Sequence, residues 1–134
     1  MIDTTSLDHQ LADLVWMMVT ALRAGYSVQQ VLEQLAAEVP QPAAGACARL
    51  AAELQSGLTL DKAFANWQQK TASTYLPDIV AVMHEHQQNG GNLADMLTPV
   101  ADQLLKTAGT DPAFYPAMRR LANNVGAALP ARAE

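Results

Sequence analysis

Apolar residues recur every three to four positions along most of this 134-residue chain, which is the spacing of one face of an α-helix. In the first such stretch, Trp16 and Met17 widen the apolar surface beyond a single stripe. That helix is therefore expected to be central in a bundle or covered by another chain. The whole pattern predicts an all-α fold with seven helices. They cover roughly residues 8–24, 28–39, from 42 or 43 to 56, from 60 to between 69 and 73, 75–89, 93–105 and 116–128.

The break between the first two helices combines a glycine with a helix-capping group. Gly25 follows the first helix, where positive φ is needed and where glycine avoids a Cβ clash that costs other residues about 1 kcal/mol. Ser27 and Gln30 form a Ser-x-x-Gln capping box, in which each side chain satisfies a backbone N–H of the first helical turn. We call such a break a glycine corner, and it predicts that the chain reverses direction there.

The glycine corner occurs twice more in the same register. Gly57 precedes a capping Thr59, and Gly90 and Gly91 precede a capping Asn92. The three corners are 32 and 33 residues apart, a period long enough for two helices and a link. The sequence thus predicts three helical hairpins that stack as a six-helix bundle, with a C-terminal helix appended.

Proline and linker residues predict how this chain is divided. Pro99 lies inside the sixth helix, where it lacks a backbone N–H, so a kink or break is expected there. Residues 107–112 have the composition of a linker. We therefore predict a helical domain over residues 1–107 and a linker with a C-terminal helix over residues 108–134, of which residues 130–134 are frayed.

Charge and cysteine content narrow the classes of partner. The net charge is −5 and no run of Lys or Arg occurs, which argues against nucleic acid as a partner. The single cysteine, Cys47, has no partner for an internal disulfide and favours a reducing cytosol. The first residues lack the basic region of a signal peptide, and the longest uncharged apolar run, residues 14–22, is shorter than the roughly 20 residues of a membrane span. A soluble, cytoplasmic chain is expected.

Three residues invite a chemical interpretation. His84 and His86 are two positions apart on a helix and point about 200° away from each other, so they do not grip one metal ion. Cys47 lies on an alanine-rich face, where a small buried thiol packs like a hydrophobic side chain. We expect no catalytic residue, no metal and no cofactor.

Acidic residues follow each glycine corner by one or two turns. Glu33, Asp61 and Asp95 either interact favourably with helix N-termini or form an acidic surface for a basic patch on a protein partner. Trp67 ends the fourth helix beside polar Gln68, so it is either a core residue or a partly exposed residue of the same partner surface. Both interpretations stay open at this point.

The three corner segments, taken together, resemble the type II secretion system F domain, and most of all the platform proteins of tight-adherence (Tad) pili. The resemblance covers residues 11–105 and implies a six-helix cytoplasmic bundle of an inner-membrane platform protein. It also implies contacts with a hexameric assembly ATPase and with membrane platform components, and no enzymatic activity. The segments that carry it are Leu22–Leu32 (LRAGYSVQQVL), Ala52–Phe64 (AELQSGLTLDKAF) and Gln88–Leu97 (QNGGNLADML).

The chain departs from this family in two respects. Family members carry transmembrane helices beside the bundle, so the present chain is expected to be a stand-alone paralogue or an excised domain. Where the family often has an acidic or small residue, this chain has residues 84–87 (HEHQ), and its C-terminal helix has no evident counterpart.

Three classes of function follow. The first is a non-enzymatic protein-interaction scaffold, cytoplasmic or peripheral at the inner membrane, with self-association left open. The alternative is a stand-alone helical domain that binds a small ligand or has a regulatory role. An enzyme ranks last, because no acid, base or nucleophile converges on one place.

Overall fold

The computed structural model describes residues 4–129 and contains only helices there, so the all-α class is confirmed. None of these helices combines the length and the apolarity that crossing a membrane requires. The predicted frayed residues 130–134 lie outside the described range. The elements are α1 Thr4–Arg23, α2 Val28–Glu38, α3 Ala43–Gln55, α4 Leu60–Gln69, α5 Leu76–Asn89, α6 Leu93–Thr107, a short 3-10 helix Pro112–Phe114, and α7 Tyr115–Val125.

Helix α1 is the central helix of the bundle. It packs most extensively against α6 and also contacts α2, α3 and α7. Between Gln10 and Val19, every side chain except that of Trp16 is buried. The wide apolar surface of this helix is therefore covered within the chain itself, which agrees with the first of the two expectations for it.

The other helices pack as neighbours along the chain. The contacts of α2 with α3 and of α4 with α5 are the most extensive after those of α1 with α6. The pairs that a glycine corner joins, α1 with α2, α3 with α4, and α5 with α6, are also in contact. The stacking of three discrete hairpins stays a prediction, and nothing in these contacts conflicts with it.

The first two glycine corners share one backbone geometry. Gly25 and Gly57 have φ of +100° and +106°. In each corner the N–H of the residue after the glycine donates to a carbonyl five residues earlier, which is the Schellman ending of a helix. At the third corner both Gly90 and Gly91 have positive φ, and the Asn92 side chain caps α6 by accepting from the Asp95 N–H at 2.9 Å.

The helices that follow the first two corners start differently from one another. At α2 the capping box is complete: the Ser27 hydroxyl accepts from the Gln30 N–H at 3.1 Å and the Gln30 side chain accepts from the Ser27 N–H at 2.9 Å. At α4, Thr59 occupies the N-cap position, but its side chain caps no N–H. The expectation of a capping hydroxyl is wrong there, because the Thr59 hydroxyl donates to the Asp61 carboxylate at 2.6 Å. That carboxylate, a stronger acceptor than a hydroxyl, takes the Lys62 N–H instead, at 2.9 Å.

Pro99 does not interrupt α6, which is assigned as one continuous helix from Leu93 to Thr107. The predicted break is therefore absent. Proline removes one N–H, and its neighbour Thr98 bonds its hydroxyl to the Ala94 carbonyl at 2.8 Å. Packing of Leu97 and Leu104 against the core stabilises the helix on both sides of the proline.

A buried amide connects three segments at the end of the bundle away from the corners. Gln10 is 1% exposed and donates to the Gln41 carbonyl at 2.9 Å and to the Asp111 carboxylate at 3.1 Å. Its carbonyl oxygen accepts from the Ala43 N–H at 3.0 Å. Buried Asp13 accepts from the Asp111 N–H at 3.1 Å. These bonds fix the start of α3 and the segment before α7 to α1.

Helix α7 shares the core of the other six helices. Its apolar face, with Ala117, Met118, Leu121 and Ala122, is buried, and α7 contacts α1. Phe114 of the preceding 3-10 helix is fully buried in the same cluster. The division of the chain after residue 107 stays a prediction, although these contacts join both of its parts.

Candidate functional site

The three glycine corners lie at one end of the bundle. An ion pair between Arg23 at the end of α1 and Asp95 at the start of α6, 3.2 Å, places the first and third corners side by side. A contact of 3.5 Å between the His84 Nδ1 and the Asp61 carboxylate places the second and third corners side by side. The surface that these loops and the adjoining helix turns form is the candidate functional site. We call it the corner end, and it comprises residues 22–33, 53–62 and 84–95.

Asp95 is an exposed acidic residue of the corner end. Its side chain is 70% exposed, and that of its partner Arg23 is 53% exposed. Arg23 also donates to the Thr98 hydroxyl at 3.0 Å. An ion pair this open to water contributes at most about 1 kcal/mol, so it can be exchanged for a partner's charge at little cost.

Asp61 has a different environment, because its carboxylate is engaged within the chain and its side chain is only 14% exposed. The hydrogen bond from the Thr59 hydroxyl, together with the Lys62 N–H and His84, lowers the pKa of Asp61 against the opposing effect of partial burial. Asp61 therefore stays ionised in mild acid and acts first as a structural group at the start of α4.

Glu33 lies on the exposed side of α2, one turn beyond the first corner. Its carboxylate accepts from the Gln29 side chain at 2.8 Å, and the same Gln29 amide donates to the Ala51 carbonyl of α3 at 3.0 Å. Glu33 is thus available to solvent and partners, while Gln29 joins α2 to α3.

Trp67 is not part of this surface. It is 5% exposed, and its ring packs edge-on against Phe64 with ring centroids 5.8 Å apart. Ala63 and Phe64 lie four and three positions before Trp67, so all three share the buried face of α4. Trp67 is therefore a core residue, and its interpretation as a partly exposed partner contact is wrong. The helical spacing determines its burial, although its neighbours in the chain are polar.

The histidines and the cysteine do not assemble a reactive site. His84 is 64% exposed and faces Asp61, whereas half-buried His86 lines a separate cleft with Leu22 and Val28. Among the described residues, no group of three or more His, Cys, Asp or Glu side chains is arranged to hold a metal ion. Burial raises the pKa of the Cys47 thiol to about 12, so the thiol is protonated at neutral pH and is a poor nucleophile.

Sequence reasoning missed the buried polar residues of α1. Gln10 and Asp13 are 1% and 0% exposed, and both hold the segment around Asp111. A signal was present, because both polar residues fall between Leu7, Leu11 and Leu14 on an otherwise apolar helix. Polar residues at such positions indicate a buried hydrogen-bond network.

Comparison with protein families gives a match that covers most of the chain. The family model of type II secretion system protein F matches residues 16–126, a range that begins within α1 and includes α7. The C-terminal helix therefore falls inside the family match, contrary to the expectation that it has no counterpart. Neither the curated proteins nor the solved structures gave a match. Since the family model spans most of the chain, this protein belongs to the type II secretion system protein F family.

Proposed function

We propose that this chain is a non-enzymatic interaction module of a secretion or Tad-type pilus platform, and that its corner end binds the assembly ATPase. Membership of the protein F family implies a platform domain of such a system. The proposal places the chain in the cytoplasm, at or near the inner membrane, next to the other platform components. It adds to the family assignment a specific partner and a specific surface.

The observation that carries the proposal is the convergence of all three corners at one end, through the contacts of Arg23 with Asp95 and of His84 with Asp61. This convergence gathers side chains that are far apart in sequence into one surface. The corner end contains five carboxylates and two cations: Glu33, Glu53, Asp61, Glu85 and Asp95, with Arg23 and Lys62. A surface with that balance is complementary to a basic patch, and such complementarity favours rapid and selective encounter.

The absence of convergent reactive groups in the described residues supports a binding role over an enzymatic one. Cys47 is buried and protonated, and His84 and His86 face different surroundings. Exposed side chains at the corner end, such as Glu85 and Asp95, are suited to contact another protein.

The proposal is tested by measuring the binding of the full chain to the assembly ATPase of the proposed secretion or pilus system. Glu85→Lys with Asp95→Lys should weaken binding by about tenfold or more, since two attractive charges become repulsive ones. The matched control is Asp78→Lys with Asp102→Lys, which makes the same change in net charge at exposed positions outside the corner end.

If the corner-end variant binds the ATPase as strongly as the wild type, the corner end is not the binding surface. Binding that both variants lose equally would indicate a net-charge effect without a specific contact. Failure of the wild-type chain to bind the ATPase would overturn the proposed partner.

A further inference from the structure

We infer that a groove between α3 and the end of α4 is a docking site for an acidic segment of a partner protein that carries a large apolar side chain. The groove has a volume of about 220 Å³. It lies opposite the corner end, where α1 begins, where the chain links α2 to α3, and where α4 ends. The inference rests on the proposed role of the chain as a protein-binding module, and it adds a second surface and the chemistry of its occupant.

The floor of the groove is apolar. It includes the side chains of Leu7 and Trp67, which are 3% and 5% exposed, with Pro42 and Ala46 beside them. The little surface that these side chains expose therefore faces the groove. An aliphatic or aromatic side chain inserted here would remove apolar surface of both partners from water, which favours association by about 25 cal/mol per Å².

Two cations border this apolar floor. Arg49 of α3 and Lys70 at the end of α4 line the groove and are both exposed, and none of the described residues that line it is acidic. Neither cation forms an ion pair with any other described residue. Both charges are thus available for carboxylates of an incoming segment, and Arg49 can hold one through two parallel hydrogen bonds.

The start of α3, which is also next to the groove, does not supply an anion site of its own. The Ala43 N–H donates to Gln10 and the Gly45 N–H donates to the Gln41 side chain. The Ala44 and Ala46 N–H groups bond to backbone carbonyls. Attraction of an acidic segment therefore depends on the side chains of Arg49 and Lys70. Substitution of these two residues can test it.

The larger groove between α1, α6 and the end of α7 lacks this combination. Its volume is about 500 Å³, and it is lined by Arg23 and Asp102, charges of opposite sign. Arg23 is already engaged by Asp95 and Thr98. The α3–α4 groove, by contrast, has an apolar floor and two positive charges that form no ion pair within the described chain. An occupant that carries both carboxylates and a large apolar side chain therefore fits it.

The test uses two peptides of equal length, one with a central leucine flanked by glutamates and one with the same leucine flanked by lysines. Binding to the full chain is followed by NMR through the two indole N–H signals, which the Trp16→Phe variant assigns. The acidic peptide should shift the indole signal of Trp67 and the backbone amide signals of residues 43–49, and should leave the indole signal of Trp16 unchanged. Arg49→Glu with Lys70→Glu should weaken this binding by about tenfold or more.

The matched control is Lys106→Glu with Arg119→Glu, which makes the same change in net charge at exposed positions outside the groove and should alter the affinity little. Three results would overturn the inference: equal binding of both peptides, no shift of the Trp67 signal at millimolar peptide, or unchanged binding by the groove variant. Shifts of the same signals with protein concentration alone would assign the groove to a second copy of the chain and overturn the acidic segment as its occupant. If the groove variant still binds the ATPase, the corner-end proposal is unaffected. The two proposals can therefore fail independently.

Discussion

At the scale of single residues, Asp61 and Asp95 diverge although both follow a glycine corner in the sequence. The Asp61 side chain is 14% exposed and is held by Thr59, Lys62 and His84. The Asp95 side chain is 70% exposed, and its partner Arg23 is also exposed, at 53%. A partner protein can therefore displace the bonds of Asp95 at small cost, while Asp61 contributes to the surface mainly by fixing the start of α4.

Gly57 offers a test of the corner geometry in which backbone conformation acts alone. Its φ is +106°, and a Cβ built at this position meets no atom within 4 Å. Gly57→Val should thus lower the free energy of unfolding by more than about 1 kcal/mol through conformational strain, since β-branched residues are poorly suited to positive φ. Urea unfolding followed by circular dichroism measures the change.

Gly57→Asn is the matched control for this prediction. Asparagine tolerates positive φ better than valine does, so its loss of stability should be smaller. Equal stability of the valine variant and the wild type would contradict the assignment of a helix ending at this glycine.

At the scale of helices, the three corners use different groups to begin the next helix. At α2 a complete capping box satisfies the first turn, and at α6 the Asn92 side chain does so. At α4 the Asp61 carboxylate, oriented by the Thr59 hydroxyl, takes over this role. The three corners thus do not need the same capping group, because several kinds of acceptor can satisfy a first-turn N–H.

The role of Thr59 predicts a pH dependence. Because its hydrogen bond is the largest cause that lowers the pKa of Asp61, Thr59→Val should raise that pKa toward its ordinary value of 3.8. A carboxyl group with a lowered pKa stabilises the fold above its unfolded-state pKa and loses this contribution as the pH falls through its folded-state pKa. The stability difference between wild type and variant should therefore shrink as the solution is acidified below about pH 4.

NMR titration of the Asp61 carboxyl carbon and urea unfolding at several pH values check these two effects. Thr74→Val, at an exposed threonine outside α4, is the control and should leave the Asp61 titration unchanged. An Asp61 pKa that is the same with and without the Thr59 hydroxyl would show that the hydrogen bond is not its cause.

Sequence patterns over a few residues predict the helices of this chain better than they predict its buried polar contacts. The helices and the Ser27–Gln30 box follow from residues at most four positions apart, whose spacing is visible in the sequence. The bond from Gln10 to Asp111 joins residues 101 positions apart, so the local pattern that indicates a buried Gln10 does not identify its partner. Trp67 lies between these cases, because the spacing from Phe64 indicates its burial although its chain neighbours are polar.

At the scale of the whole molecule, the corner end and the groove between α3 and α4 are two surfaces of different charge near opposite ends of one bundle. The corner end gathers carboxylates, whereas Arg49 and Lys70 line the groove near the opposite end. A module with two such surfaces can contact two partners at once, as the proposed function requires. The central α1 joins both ends, since it begins at the groove with Leu7 and ends at the first corner.

The whole-molecule role of α7 is tested by shortening the chain. A chain that ends at Thr107 loses the buried side chains of Phe114, Met118 and Leu121 and uncovers the part of α1 that α7 contacts. Full burial of one such side chain contributes about 1.5–3 kcal/mol, so the free energy of unfolding should fall by more than about 4 kcal/mol. A chain that ends at Ala128 keeps all of α7 and should unfold with the full-length protein. Equal urea midpoints for the Thr107 truncation and the full chain would instead establish residues 108–134 as a separate appendage, because the core would then be complete without them.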